Sequence, residues 1–199
     1  MGNFRTIWKH EVGQAGQIAK ILLDDKKVTL DWKIILLPVF LYKIYQYRKD
    51  LNFTRKNFLF TKHLAYNAAK NIFQGKEQAW EVRRIEIQTK EILDKEKKGF
   101  YTEKIRRKQL AEIDLLIKHY LALFNAQKSK YPEIIKETYQ SKGNYLTFLS
   151  TLRKAEEDVI QAAITTMRRG TKKDRREWFQ KVRETTKKVR MAEADQIYS

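Results

Sequence analysis

The sequence predicts an all-α protein, a bundle of long antiparallel helices paired as αα-hairpins, with a Pro-kinked apolar helix near the N-terminus. Three observations carry this expectation. Apolar residues recur at spacings of three and four along most of the chain, the period that lines one face of a helix. Glycine and proline, the residues that break helices, are scarce at 7 and 2 copies among 199 residues. Lys, Glu, Gln, Ala, Leu and Ile dominate, and the straight-chain residues among them lose little rotamer freedom in a helix, while no stretch alternates like a strand.

The first helix is expected over 7–23, where Ile7, Trp8, Val12, Ala15, Ile18, Ala19, Leu22 and Leu23 share a face and Asp24-Asp25-Lys26-Lys27 ends it. Asp31–Asp50 is the least ordinary stretch. From Ile34 to Tyr42 it carries no charge, Pro38 sits inside it, Trp32 marks one end, and Tyr42, Tyr45 and Tyr47 mark the other. A helix passing through Pro38 loses a backbone hydrogen bond and clashes with the carbonyl of Ile34, so a kink or break is expected there. A further helix, capped by Asn52 or Thr54, is expected to run to about Phe73. Phe58, Leu59, Leu64, Ala65, Ala68, Ile72 and Phe73 form its apolar face, and Arg55, Lys56, Lys62 and Lys70 fall mostly elsewhere.

Gly75 and Gly99 mark breaks around a charge-balanced helix over 76–98, with a narrow stripe of Ala79, Val82, Ile85, Ile92 and Leu93. Its Glu86–Lys90, Glu91–Lys95 and Asp94–Lys98 pairs each add about 0.2–0.5 kcal/mol. Thr102 caps the next helix, which reaches about Lys128 and buries Ile105, Gln109, Ile113, Leu116, Ile117, Tyr120, Leu121 and Phe124. These two helices are expected to pair as an antiparallel hairpin. Tyr131-Pro132 opens a short helix to Gln140. Ser141 or Asn144 starts another, with Tyr145, Phe148, Leu149, Leu152, Val159, Ile160, Ala163 and Met167 in register, stopped at Arg168-Arg169-Gly170. Thr171 with Asp174 reads as a capping box for the last helix, whose buried side is Trp178, Phe179, Val182 and Val189. Residues 144–199 thus make a second hairpin. By composition, 1–74 is a basic, apolar helical region with a possible membrane-interface segment at 32–47, and 75–199 is a charged helical-hairpin bundle.

The absence of cysteine excludes disulfides, Cys-ligated zinc and iron–sulfur clusters. The N-terminal residues lack the apolar core of a signal peptide; Gly2 with Thr6 fits the N-myristoylation pattern, too short a match to build on. No phosphate loop, His-Glu-x-x-His or paired Glu-x-x-His appears, and His10, His63 and His119 read as structural or solvated histidines. No catalytic residue, metal site or cofactor is therefore assigned, and the chain reads as a non-enzyme.

The net charge of +18 attracts anionic lipid, nucleic acid or an acidic partner. The apolar run is too short to cross a bilayer of roughly 30 Å. It does suit shallow insertion, since its aromatic ends fit the headgroup layer and its flanking cations fit an anionic surface. The expected insertion set is Trp32, Ile34, Ile35, Leu36, Leu37, Pro38, Val39, Phe40, Leu41, Tyr42, Ile44, Tyr45 and Tyr47. The expected anionic-surface set is Lys26, Lys27, Lys33, Arg48, Lys49, Arg55 and Lys56. This gives a helical scaffold or complex subunit on the cytoplasmic face of a membrane, with the later helices binding a protein partner or a second copy. The alternative is a soluble, basic, helical nucleic-acid-binding protein contacting its ligand through Lys172, Lys173, Arg175, Arg176, Lys187, Lys188 and Arg190 on the final helix. In that case the apolar run is ordinary core.

Overall fold

Helix starts and stops follow local chemistry closely. The computed structural model describes residues 3–23, 37–97, 99, 101–166 and 171–199, without the side chains of 37–48, 53 and 172. Among the described residues there are seven helices and no strand: α1 Phe4–Leu22, α2 Leu37–Phe73, α3 Gln78–Lys95, α4 Glu103–Asn125, α5 Tyr131–Tyr139, α6 Lys142–Ile164 and α7 Lys172–Ile197. The Thr102 hydroxyl accepts from the Ile105 amide and the Ser141 hydroxyl from the Asn144 amide. At α7 the expected capping box forms, with Thr171 and Asp174 each bonding the other's backbone amide at 3.1 and 2.8 Å. Gly75, at φ +96°, ends α2 in a Schellman arrangement. There the Lys76 amide reaches the Asn71 carbonyl at 3.0 Å and the Gly75 amide reaches that of Ile72 at 2.9 Å.

One boundary differs from the sequence expectation. No helix starts at Asn52 or Thr54; α2 passes through both as a single helix of 37 residues. Between Val39 and Phe73 the chain has neither proline nor glycine, so two residues with good capping side chains do not interrupt it. The described helix begins at Leu37 with Pro38 in its first turn, where a missing N–H costs little. Residues 31–36, the other side of the expected kink, lie outside the described residues, as do the stops at Asp24–Lys27 and Arg168–Gly170.

Helix directions follow from the contacts. Phe4 packs edge-on against Phe73 at 5.6 Å and Glu11 meets Lys62, so α1 runs antiparallel to α2. Thr61 meets Glu112 and Phe73 meets Phe124, so α2 and α4 run parallel, with α3 carrying the chain back between them. The expected α3–α4 hairpin forms through Arg106, which donates to the Thr89 hydroxyl and the Glu86 carbonyl. The expected α6–α7 hairpin forms through Glu156–Arg190 and Tyr145–Glu193. Three helices, α1, α3 and α6, therefore point one way, and α2, α4 and α7 point the other.

The main core draws on both halves of the chain. Ile7, Leu64, Ala65, Ala68 and Ala69 pack with Ile113, Leu116, Ile117, Tyr120, Ile134, Ile135 and Ala194. The regions 1–74 and 75–199 thus contribute to one core. A smaller cluster of Ile18, Leu22, Val182 and Val189, joined by Phe58 and Ile160, lies toward the end where α1 and α6 finish.

Candidate functional site

The end of the bundle where α1, α3 and α6 finish is the same end from which α2, α4 and α7 start. Along α1 and α2 the register runs from Phe4 beside Phe73 to Gly16 beside Arg55, whose Cδ lies 3.9 Å from the position of an added Cβ. That register sets Leu22 opposite about Lys49. The register of α2 with α4, from Thr61–Glu112 to Phe73–Phe124, sets Glu103 opposite about Asn52. The first turns of α2, over 37–48, therefore run past the ends of both neighbours, by roughly 18 Å beyond α1 and roughly 22 Å beyond α4, at about 1.5 Å per residue.

The same end collects cations. Lys49, Lys56, Lys104, Arg107, Lys108, Lys173 and Arg176 are all exposed there. Some are partly offset: Lys108 donates to Asp158 at 2.8 Å, Arg107 lies 3.2 Å from Glu103, and Lys173 lies 3.9 Å from Glu177. The N-termini of α4 and α7 add the positive ends of their helix dipoles.

Of the residues expected from sequence, Leu37, Pro38, Val39, Phe40, Leu41, Tyr42, Ile44, Tyr45 and Tyr47 lie on the protruding part of α2, their side chains outside the described set. Trp32, Ile34, Ile35, Leu36, Lys26, Lys27 and Lys33 lie outside the described residues, and the Arg48 side chain is not described. Lys49 and Lys56 are exposed, and Arg55 is half-buried. Of the nucleic-acid set, Lys173, Arg176, Lys187 and Lys188 are exposed, Arg175 is half-buried, and the Lys172 side chain is not described. Arg190 requires correction. It is only 5% exposed, and its guanidinium donates bidentately to Glu156 at 2.6 and 2.7 Å, so it faces the interior rather than a ligand outside.

That ion pair belongs to a buried polar layer that periodicity did not reveal. Lys62, expected outside the apolar face of α2, turns inward and donates to Glu11 at 2.5 Å; Glu11 also accepts from the Tyr120 hydroxyl at 2.9 Å. Burial alone would raise the Glu11 pKa, but the adjacent ammonium and the hydrogen bonds overcome it and hold the carboxyl at about 2. Glu193 accepts from Gln14 at 2.7 Å and from the Tyr145 hydroxyl at 3.0 Å, with His10 Nε2 3.0 Å away and the His10 ring stacked on Tyr131. His119 Nδ1 lies 2.6 Å from the Tyr139 hydroxyl, and burial drives its pKa down to about 3, so the ring is neutral. Glu112 differs from its neighbours. It accepts from the Thr61 hydroxyl at 2.6 Å, and burial, with Glu156 nearby, raises its pKa to about 7.

The signal for this layer was present in the spacing. Glu11 falls four residues after Ile7 and four before Ala15; Glu112 falls four before Leu116; Arg190 falls four before Ala194. Each is a charge on an otherwise apolar stripe, a position that requires a partner from another helix. Among the described residues no group of three His, Asp or Glu is arranged to hold a metal, and no helix is long and apolar enough to cross a membrane. No protein-family model matches the chain, and neither a curated protein nor a solved structure does.

Proposed function

We propose that this protein is a helical scaffold, or a subunit of a larger complex, that docks one end of its bundle on an anionic membrane surface. The observation that supports this most directly is a coincidence of position. The uncharged run leads into the part of α2 that passes beyond its neighbours, at the end where the exposed cations of α4 and α7 collect. Apolar insertion and electrostatic attraction would then act on the same surface, the combination that holds interfacial proteins to lipid. Each basic residue close to an anionic leaflet contributes about 1 kcal/mol.

The partner-binding part of the reading is supported by α3. This helix contacts the bundle through Glu81, Ile85 and Thr89, while Trp80 and Ile87 stay 55% and 53% exposed. Large side chains exposed along one helix favour a protein contact over plain solvation.

Fractionation of cells containing the native protein tests the reading. The protein is expected in the membrane fraction, resistant to a high-salt wash and to nuclease, because the apolar segment holds when screening removes the charge contribution. Release by nuclease would transfer the basic end to nucleic acid. Recovery wholly in the soluble fraction would return the apolar run to the protein core.

A further inference from the structure

A cavity of about 460 Å³ opens among α2, α4, α6 and α7, next to the buried polar layer. Its walls divide by chemistry. Phe58, Ile160, Trp178 and Val182 line the part toward the basic end, while Glu112 and Thr186 line the part roughly one turn deeper; Arg153 and Arg183 also line it, both held against Glu157 at 3.9 and 3.1 Å. Its volume falls within the usual range of small-molecule sites, about 300–1,000 Å³.

Two separate observations at the inner part point to a ligand. Thr186 is 6% exposed, and its hydroxyl has no hydrogen-bond partner. A buried hydroxyl without a partner is costly, and a bound polar group would relieve that cost. Glu112 is 4% exposed and forms no ion pair among the described residues. The neighbouring acids each have a cation or several donors: Glu11 pairs with Lys62, Glu156 with Arg190 and Glu157 with Arg183, and Glu193 accepts from Gln14 and Tyr145.

We propose that this cavity binds an amphiphile with a protonated amine head and an apolar body. The amine pairs with the Glu112 carboxylate and donates to the Thr186 hydroxyl. The apolar body lies along Phe58, Ile160, Trp178 and Val182 toward the basic end. The elevated pKa of Glu112 is consistent with this, since burial and Glu156 outweigh the nearby charges of Lys62 and Arg190 and disfavour its ionised form until a cation sits beside it. The net charge of +18 repels amines from the outer surface, so saturable amine binding reports on the interior. The inference is independent of membrane docking and is tested without lipid.

The experiment is calorimetric titration of the full chain with dodecylamine and with dodecanol, each below its aggregation concentration, at pH 8. Dodecylamine is expected to bind saturably at one site. Glu112→Gln, which keeps the acceptor for Thr61, is expected to weaken dodecylamine at least tenfold and to leave dodecanol unchanged. Thr186→Val keeps the side-chain shape and removes the hydroxyl; it is expected to weaken dodecylamine severalfold, and it decides the matter if the Glu112 variant does not fold. Absence of saturable dodecylamine binding would overturn the proposal, as would unchanged dodecylamine affinity in both variants.

Discussion

Glu112→Gln is expected to change how the stability of this protein depends on pH, in a direction and by an amount fixed by the buried layer. In the fold Glu112 titrates at about 7 rather than its ordinary 4.5. Burial is the first cause and the charge of Glu156 the second, opposed by the Thr61 hydrogen bond and by Lys62 and Arg190. The folded state therefore holds a proton that the unfolded chain has lost between pH 4.5 and 7, and stability falls as pH rises through that window. Across the whole gap, at about 1.4 kcal/mol per pH unit, the loss reaches roughly 3 kcal/mol. His119 acts in the opposite sense. Its pKa of about 3 against an ordinary 6.5 means the unfolded chain holds the extra proton between those values, so stability rises with pH there. Between pH 4.5 and 6.5 the two slopes nearly cancel. Glutamine mimics the protonated carboxyl and keeps the bond from Thr61. The variant should therefore match the native protein within about 1 kcal/mol at pH 4.5 and exceed it by roughly 3 kcal/mol at pH 8. Urea unfolding followed by circular dichroism at the two pH values measures both differences. An equal difference at pH 4.5 and pH 8 would refute the assignment of Glu112 as the buried acid that keeps its proton to about pH 7.

Other perturbations probe the remaining parts of the account. Arg190→Met leaves the half-buried Glu156 without its bidentate partner and should cost about 3 kcal/mol in urea unfolding, most of it recovered when Glu156→Leu is added. Thr171→Ala removes the hydroxyl half of the α7 capping box and should lower stability by about 1 kcal/mol in the same assay. Gly75→Ala meets no atom within 4 Å, so its cost comes from the left-handed backbone alone and should be about 1–2 kcal/mol.

Most of the helical framework was legible because its signals are local. Thr102, Ser141 and Thr171 cap the helices they were expected to cap, and Gly75 ends α2, since capping depends on a few neighbouring residues. Asn52 and Thr54 illustrate the converse. Both can cap a helix, but without a proline or glycine to stop α2 they sit inside it. The polar layer was harder to read because its partners are distant in sequence. Glu11 meets Lys62 and Tyr120, and Arg190 meets Glu156, so a search for apolar periodicity treats each charge as a surface residue. Arg190 accordingly reads as a surface cation in the sequence and is an interior one in the fold. Successive hairpins imply that α2 and α4 point the same way, but not that they pack directly against each other, because contacts such as Thr61–Glu112 join residues distant in sequence.

The most direct test of membrane docking is co-sedimentation of the full chain with vesicles of phosphatidylcholine and phosphatidylserine, using native protein and Leu37→Asp. The native protein is expected to pellet with anionic vesicles and to stay with them at high salt. Leu37→Asp should abolish pelleting while the helical circular dichroism signal and the unfolding midpoint stay unchanged, because Leu37 lies on the part of α2 that runs past α1 and α4. Undiminished pelleting of a folded Leu37→Asp protein would contradict insertion through this segment, and unfolding of the variant would place Leu37 in the protein core.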